Sequence, residues 1–255
     1  MFFKPKEFIW LINKNLTFGA LEKTIKILVI LPCFNEEQSI GNILQQLKNI
    51  NVGGCEIIAL PVNDASTDKT LEEIKKHSMH YLDLPENLGI GGAVQSGLKY
   101  ARENGFDIAV QMDGDGQHPP LELTKILEPI LNNRTDACIG SRFIDKEGFQ
   151  SSFLRRVGIN FLSGLIKLRC GQRVLDCTSG YRAFNKKAIE ACVKYYPKKY
   201  PEPESALYLI KKGIRVKEVP VLMDARVTGT SSISGLRGIY YMLKVSLAIL
   251  FLRVN

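Results

Sequence analysis

Residues 27–37 read ILVILPCFNEE, in which an unbroken apolar run gives way to a proline and then to polar side chains. A continuous apolar run is typical of a β-strand that is buried on both faces, as in parallel sheets. The pattern predicts a strand over 27–31. It also predicts a helix over 36–48, because apolar residues from Ile40 to Leu47 recur at helical spacing.

The alternation of strand and helix continues along the chain. We predict strands at 56–62, 80–82 and 107–112, and helices at 67–77 and 91–104. Such units build a mainly parallel sheet that is flanked by helices and joined by right-handed crossovers. The second half is less regular, with strands predicted at 136–140 and 214–223 and a helix at 154–168. The chain is therefore predicted to be an α/β protein.

The composition favours one globular catalytic domain with an anionic partner. The chain has 255 residues, of which 45% are hydrophobic, and a formal net charge of +8. A basic balance suits nucleic acid, acidic lipid or phosphorylated substrates. The basic residues are scattered and no recognised nucleic-acid-binding motif is present, so we expect no nucleic-acid partner. None of the six cysteines forms a C-x-x-C pair, which favours reduced thiols in a cytosolic protein.

The chain is predicted to have three parts. These are an N-terminal helical segment at 1–24, a catalytic domain at 25–234 and a C-terminal helix at 235–255. The apolar stretch 239–252 is interrupted by Lys244 and would reach only ~21 Å, against ~30 Å for the hydrocarbon core of a bilayer. It therefore predicts an apolar or amphipathic helix that lies in the membrane interface or docks on a membrane partner.

Polar residues follow three of the predicted strands, at 32–36, 63–66 and 113–115. Ligands bind outside the carboxyl ends of the strands in sheets of this kind. Asp113 and Asp115 would repel each other on their glycine-containing turn unless a cation neutralised them. Mg²⁺ or Mn²⁺ prefers oxygen ligands and often bridges to phosphate, which indicates a diphosphate site. A solvated turn is the alternative for an isolated D-x-D motif.

Further motifs resemble, in order and spacing, those of family-2 glycosyltransferases, which have the GT-A (Rossmann-like) fold. The motifs are Pro32-x-Phe34-Asn35-Glu36, Asp64-Ala65-Ser66-x-Asp68, Asn87-x-Gly89, Asp113-x-Asp115, Gly140-Ser141-Arg142, Asp176-x-Thr178-Ser179-Gly180-Tyr181-Arg182 and Arg226-x-x-Gly229-x-Ser231-Ser232. The resemblance covers residues 26–232 and is strongest to polyprenyl-phosphate glycosyltransferases, including dolichol-phosphate mannose synthase-like enzymes. It implies that a hexose is moved, with inversion, from a nucleotide-sugar (a UDP-sugar is favoured) to a polyprenyl phosphate. The expected location is the cytoplasmic face of the cell membrane, and the expected cofactor is Mg²⁺ or Mn²⁺.

The resemblance also implies roles for individual residues. The nucleotide-sugar would be bound by Pro32, Phe34, Asn35, Glu36, Asp64, Asn87, Gly89, Asp113, Gly114 and Arg226. The metal ligands would be Asp113, Asp115 and Gln117, and catalysis would use Asp115, Arg142 and a base at Glu204 or Glu202. Ser179, Arg182 and Arg155 would contact the acceptor or its phosphate. The family often has two acids where this chain has Asn63-Asp64, which leaves the identity of the nucleobase open.

Several alternatives remain open from the sequence. The acceptor could be a hydroxyl of a lipid-linked or surface glycan, and the chain could be a non-catalytic nucleotide-sugar-binding subunit. The apolar C-terminal helix is compatible with a small membrane protein partner or a homo-oligomer. A Rossmann dinucleotide site is disfavoured, because Val94 occupies the third glycine position of the G-x-G-x-x-G pattern.

Overall fold

The computed structural model describes residues 24–224 and 236–254, which form a seven-stranded sheet between layers of helices. The strands are β1 (Ile25–Cys33), β2 (Cys55–Asn63), β3 (Leu82–Asp83), β4 (Ile108–Gln111), β5 (Ala137–Ser141), β6 (Arg182–Asn185) and β7 (Val216–Pro220). The described helices are α1 (Ile40–Lys48), α2 (Thr70–His77), α3 (Ile90–Glu103), α4 (Leu123–Leu131), α5 (Phe153–Cys170), α6 (Lys186–Lys194), α7 (Pro201–Lys211) and α8 (Leu236–Phe251). A short 3₁₀ turn at Pro120–Glu122 precedes α4.

The strand order is β3-β2-β1-β4-β6-β5-β7. β1 pairs in parallel with both β2 and β4, and β2 pairs in parallel with β3. β6 runs antiparallel to its neighbours β4 and β5, whereas β5 and β7 are parallel. The prediction of an α/β fold with a mainly parallel sheet is confirmed, and the carboxyl ends of β1, β2 and β4 meet at one edge.

The core lies on both faces of this sheet, as the apolar run of β1 predicts. Leu28 and Ile30 point into one apolar layer, while Ile27, Val29 and Leu31 point into the other, and all five are fully buried. A strand between two helical layers needs apolar side chains on both faces. The continuous apolar run therefore places β1 at the centre of the domain.

Helix α1 begins at Ile40, four residues later than the sequence predicts. The backbone N–H of Glu36 donates to Thr70 Oγ1 at 2.7 Å, and that of Glu37 donates to Asp68 Oδ2 at 3.3 Å. These amides bond to the loop after β2 at the edge where ligands are expected. α2 also begins later, at Thr70, whose backbone N–H donates to Asp68 Oδ1 at 2.9 Å.

The second half contains elements that the sequence patterns did not predict, namely β6, α4, α6 and α7. The strand predicted at 214–223 is shorter, and only Val216–Pro220 pairs with β5. The C-terminal helix is confirmed as α8, Leu236–Phe251. The helical segment predicted at 1–24 falls, except for Thr24, outside the described residues, as do Arg226 and the boundary at 234. Within 24–224 and 236–254, no helix combines the length and apolarity needed to cross a membrane.

Candidate active site

The turn that follows β4 places two carboxylates at the carboxyl edge of the sheet. Asp115 is 3% exposed, and its Oδ1 accepts a hydrogen bond from the backbone N of Gln117 at 3.0 Å. Ser39 Oγ donates to the carbonyl oxygen of Gly114 at 2.7 Å. A Cβ added at Gly114 would come within 3.0 Å of the carbonyl oxygen of Pro32, at the end of β1. The turn is therefore fixed closely against β1, and a larger residue at its centre would displace it.

Asp113, on the same turn, has two contacts with His118, one at its backbone N and one at its carboxylate. Its backbone N donates to His118 Nδ1 at 3.0 Å, and His118 Nε2 lies 3.9 Å from Asp113 Oδ2. Burial lowers the pKa of His118 to about 4, so the ring is neutral and carries its proton on Nε2, facing Asp113. A Cβ at Gly180 would lie 2.7 Å from Asp113 Oδ2, so glycine leaves room for this carboxylate. The sequence motifs did not predict this supporting role of His118.

The chain after β1 is pinned to the loop after β2. Asn35 has a left-handed backbone (φ 59°), its N donates to Ser66 Oγ at 3.1 Å, and its Oδ1 accepts from the N of Thr67 at 2.8 Å. Glu36 Oε2 lies 3.0 Å from Ser39 Oγ. Phe34 is 48% exposed beside them. An exposed ring on a fixed loop suits stacking on a nucleobase, the role that the resemblance implies.

Asp64, at the end of β2, organises the turn before α3. Its Oδ1 accepts from the N of Leu88 at 2.7 Å, and its carbonyl accepts from Asn87 Nδ2 at 3.1 Å. Asn87 Oδ1 then accepts from the N of Gly89, which has a φ of 75° that favours glycine. The structure thus brings Asp64, Asn87 and Gly89 together, and their role in binding a nucleotide-sugar stays a prediction.

Asn63 replaces the second acid of the family motif, and the structure supplies an acid from another strand. Asn63 Nδ2 donates to Asp83 Oδ1 at 2.7 Å, and Asn63 Oδ1 accepts from the N of Ser66 at 3.2 Å. Asn63 is 2% exposed, whereas Asp83 is exposed at the end of β3. An aspartate at 63 would face Asp83 with like charge. The carboxylate missing from the sequence motif therefore lies beside it in space.

Small residues let α3 lie close to its neighbours. A Cβ added at Gly91 would lie 1.9 Å from the carbonyl oxygen of Pro197, and one at Gly97 would lie 2.4 Å from Ile30 Cγ2. The N of Gly91 also donates to the carbonyl of Lys198 at 3.2 Å. These contacts fix the amino end of α3 against the chain that leads into α7.

Arg142 forms a buried ion pair. Its Nε and Nη2 each lie 2.7 Å from a different oxygen of Asp176, and both residues are at most 6% exposed. Glu218 accepts from the backbone N of Leu175 and of Asp176, each at 2.7 Å, which orients the aspartate. The planar guanidinium group of Arg142, a residue to which the resemblance assigns a catalytic role, is therefore bonded to a carboxylate within the fold.

Arg182 and Ser179, predicted to contact the acceptor, are each 1% exposed. Arg182 Nε donates to the carbonyl of Ser179 at 2.8 Å, and Nη2 donates to the carbonyl of Cys177 at 2.9 Å. Arg182 Nη1 donates to Ser205 Oγ at 2.9 Å, in α7. The structure thus places both residues inside the fold, where Arg182 joins β6 to the start of α7.

The two predicted bases lie in different surroundings. Glu202 is partly buried near Asp113 and Arg182; burial raises its pKa to about 7, opposed by the charge of Arg182. Glu204 hydrogen-bonds to the hydroxyl of Tyr195 and lines a separate pocket of about 620 Å³ with the end of α8. Of the two acids, Glu202 is therefore the one that the structure places beside the Asp113 turn.

A buried pair of polar residues lies near Glu202, and the sequence patterns did not predict it. Tyr196 donates its hydroxyl proton to Gln111 Oε1 at 2.7 Å, and both are buried. Gln111 is the only polar residue of β4. A polar residue in an apolar strand was the feature of the sequence that could have indicated this pair. Arg155, by contrast, is exposed on α5, and its charge acts on the hydroxyl of Tyr241 in α8.

The residues of the turn fit a divalent cation. Asp113 and Asp115 offer hard oxygen ligands, and Gly180 keeps the space beside Asp113 clear. Within the described parts of the chain, no three His, Cys, Asp or Glu side chains cluster as a metal-binding group. Mg²⁺ typically takes one or two carboxylates and completes its shell with water and substrate phosphates, so two aspartates suffice. The backbone carbonyl of Gln117 accepts from the N of Asp224 at 3.0 Å, and Gln117 stays the predicted third ligand.

Comparisons with known proteins identify the family of the chain. Residues 28–193 match the model of glycosyl transferase family 2. The UDP-N-acetylglucosamine–dolichyl-phosphate N-acetylglucosaminyltransferase of Methanococcus voltae is 34% identical over 215 residues, which cover 76% of this chain and 84% of that protein. The undecaprenyl-phosphate mannosyltransferase of Micrococcus luteus is 30% identical over 220 residues, which cover 83% and 88%.

A solved structure supports the fold independently. Glucosyl-3-phosphoglycerate synthase from Mycobacterium tuberculosis, crystallised with Mn²⁺, UDP-glucose and phosphoglyceric acid, superposes with a TM-score of 0.69. The match covers 92% of this chain and 83% of that one at 17% identity, which supports the GT-A fold alone. The family match extends over more than half of the sequence, and it includes the turn of Asp113 and Asp115. The chain therefore belongs to glycosyl transferase family 2.

Proposed function

We propose that this chain transfers a hexose from a UDP-sugar to a polyprenyl phosphate, with inversion, at the cytoplasmic face of the membrane. The observation that carries the proposal is that relatives covering over three quarters of the chain are named for transfer of different sugars to such lipids. The sugars differ, whereas the acceptor class stays the same. We infer that the acceptor class is also the property that this chain shares.

One end of the site is suited to binding the nucleotide-sugar donor. Phe34 would stack on the nucleobase, and Asp64 and Asn87 would shape the floor of its pocket. Asp113 and Asp115 would hold Mg²⁺ or Mn²⁺ together with Gln117, and the ion would neutralise charge on the departing diphosphate. His118 keeps Asp113 in place through its contacts with that residue.

The reaction needs little proton transfer. An oxygen of the lipid phosphate attacks the anomeric carbon, the bond from that carbon to the diphosphate oxygen breaks, and the electron pair leaves with UDP. A phosphate monoester is already largely dianionic near neutral pH, because its second pKa is about 6. Glu202 would then shape the acceptor side electrostatically without having to remove a proton.

Transfer to a glycan hydroxyl is the second candidate, and Glu202 favours it. A hydroxyl acceptor must lose its proton, and a general base works best when its pKa lies near the operating pH. Burial raises the pKa of Glu202 to about 7, in that range. The two candidates therefore differ in how much activity they require from this carboxylate.

The test is sugar transfer by the intact chain from radiolabelled UDP-glucose, UDP-N-acetylglucosamine and GDP-mannose. Each donor is offered with undecaprenyl phosphate or with a lipid-linked glycan, in Mg²⁺, in Mn²⁺ or with a chelator. We expect label in the lipid-phosphate fraction from a UDP-sugar, lost with the chelator and in Asp115→Asn. Label that enters only the glycan would favour the second candidate, and transfer that survives the chelator would refute the metal requirement.

A further inference from the structure

Helices α5 and α8 lie side by side and each has apolar residues on two opposite faces. Arg169 Nε donates to the carbonyl of Ile249 at 3.2 Å, and Arg169 Nη2 donates to that of Leu252 at 2.9 Å. A Cβ on Gly158 of α5 would lie 3.2 Å from Met242 Sδ of α8. The two helices are therefore fixed to each other along their length.

The inner faces of both helices enter the same core. Ile159 and Ile166 of α5 and Tyr241 and Ile249 of α8 are buried in one apolar layer. A helix covers a core with only one stripe, so its opposite face points to the outside. Since both inner faces meet one layer, the outer faces of α5 and α8 point the same way.

Those outer faces are strongly apolar. Six large side chains are between 60% and 81% exposed there: Phe153, Leu154 and Leu168 on α5, and Ile239, Leu243 and Phe251 on α8. On each helix the exposed apolar residues fall on one stripe, because their spacing follows the helical repeat. A contiguous exposed apolar patch of this kind marks a surface that binds a partner or a membrane. We call it the α5–α8 face.

The charge of the two helices selects the partner. Phe153–Cys170 and residues 238–251 contain no Asp or Glu but five basic residues, namely Arg155, Arg156, Lys167, Arg169 and Lys244. The whole chain has a net charge of only +8. Basic side chains beside an apolar stripe are attracted to acidic lipid headgroups. A second copy docking symmetrically on this face would bring like charges together, which disfavours a homodimer.

The polar rim also suits a bilayer surface. Lys244 Nζ lies 5.7 Å from the ring centre of Tyr240 and 6.0 Å from that of Tyr200. Tyrosine and lysine place an apolar body in the interface and a polar tip at the headgroups. Sixteen residues of helix reach only ~24 Å, so α8 would lie in the plane of the interface rather than cross it.

We propose that the α5–α8 face is a docking surface for an anionic lipid bilayer, with both helices lying in its interface. The inference deepens the proposed function. It rests on that function in one respect, because the lipid acceptor is the reason for the chain to bind a membrane. The inner face of α8 carries Tyr241, whose ring centre lies 4.7 Å from that of Tyr200, the residue that directly precedes α7 and Glu202. Docking would therefore bring the side of the site that contains Glu202 to the bilayer surface.

Vesicle binding tests the surface directly. The intact chain is sedimented with vesicles of phosphatidylcholine containing about 30% phosphatidylglycerol, and with phosphatidylcholine alone. We expect binding that prefers the anionic vesicles and weakens with salt. Leu168→Asp and Leu243→Asp should each weaken binding about tenfold, because each places a charge in the interface. Met79→Asp is the matched control, since Met79 is 96% exposed outside this face, and it should bind as the parent chain does.

Three results would overturn the proposal. They are equal binding to neutral vesicles, binding that survives both leucine substitutions, or a dimer in light scattering that the same substitutions dissociate. Transfer to a short, water-soluble polyprenyl phosphate separates the two proposals. We expect Leu168→Asp and Leu243→Asp to keep that transfer while losing transfer to vesicle-embedded acceptor. If the parent chain transfers to neither acceptor but still docks through this face, the proposed function fails and the docking surface stands.

Discussion

Two pairs of motif residues, one from each half of the site, are placed in opposite ways. In the first half, Phe34 and Asn35 are exposed after β1, and Asn35 is held by hydrogen bonds to the loop after β2. In the second half, Arg142 and Arg182 are buried and bonded within the fold. A motif residue can thus serve a site either by reaching the ligand or by fixing the wall that the ligand meets. The structure assigns the two arginines contacts of the second kind.

Asp115→Asn should give the largest effect and confirm the first half as ligand-binding. Asparagine keeps the size of the side chain and an oxygen that can accept from the N of Gln117, so the fold should be unchanged. Loss of a metal ligand should lower kcat about 1,000-fold, or ~4 kcal/mol in activation free energy. Transfer assays beside thermal unfolding measure both. An unchanged rate would remove Asp115 from the metal site.

Asp176→Asn should act on stability. It leaves Arg142 buried without its counter-charge, which typically costs ~3–5 kcal/mol. Urea unfolding of the parent chain, Asp176→Asn, Arg142→Met and the double variant measures the coupling between the two residues. The double variant should be more stable than the sum of the single losses predicts. If Asp176→Asn instead raised KM for the donor with no loss of stability, the ion pair would belong to the ligand site.

Gly91→Ala should give an intermediate effect, because Gly91 lies where α3 of the first half contacts the chain that leads into α7 of the second half. The new Cβ would lie 1.9 Å from the carbonyl oxygen of Pro197, so the amino end of α3 must move. We expect a loss of ~1–3 kcal/mol in the free energy of unfolding. Gly164→Ala, inside α5 with no atom within 4 Å of the new Cβ, is the control and should be neutral or slightly stabilising. Equal results for the two variants would contradict the close approach.

Glu202→Gln should give the smallest effect on transfer to a lipid phosphate, less than about tenfold, because that acceptor needs no base. Glu204→Gln is the control, since Glu204 bonds to Tyr195 in a separate pocket. A loss of about 100-fold or more in Glu202→Gln alone would show that Glu202 acts as a base.

The raised pKa of Glu202 also predicts a pH effect on stability. Burial raises the folded-state pKa from 4.5 to about 7, so the folded chain holds a proton that the unfolded chain releases first. The contribution of this group is therefore fully present below pH 4.5 and is lost as pH rises towards 7. Unfolding of Glu202→Gln from pH 5 to 7.5 should lack that component, which is at most ~3 kcal/mol.

The first half could be predicted because its elements follow simple patterns. The apolar run of β1 and the polar residues that end β1, β2 and β4 indicated the sheet and its ligand edge. The first residues of α1 and α2 could not be predicted, because the backbone amides of Glu36 and Glu37 donate to Thr70 and Asp68, which lie more than 30 residues away. Such long-range bonds leave no periodic signal in the sequence.

The second half could not be predicted in the same way. β6 has four residues and begins with the buried Arg182, which departs from every strand pattern. The burial of Arg142 depends on Asp176, 34 residues away. The sequence motifs singled out these residues but gave no sign that the fold buries them. They did not distinguish a residue that binds phosphate from one that braces the fold.

The place of β6 between β4 and β5 sets an order of events during synthesis. β1, β2 and β4 are complete once residue 111 has left the ribosome, and they can pair at once. β5 cannot join them until residues 182–185 arrive, because β6 lies between it and β4. For roughly 70 residues of elongation, or some seconds at ~5–20 residues per second, the nascent sheet keeps an open edge. Open edges invite pairing with other chains, so the edge of β4 is exposed to such pairing throughout this interval.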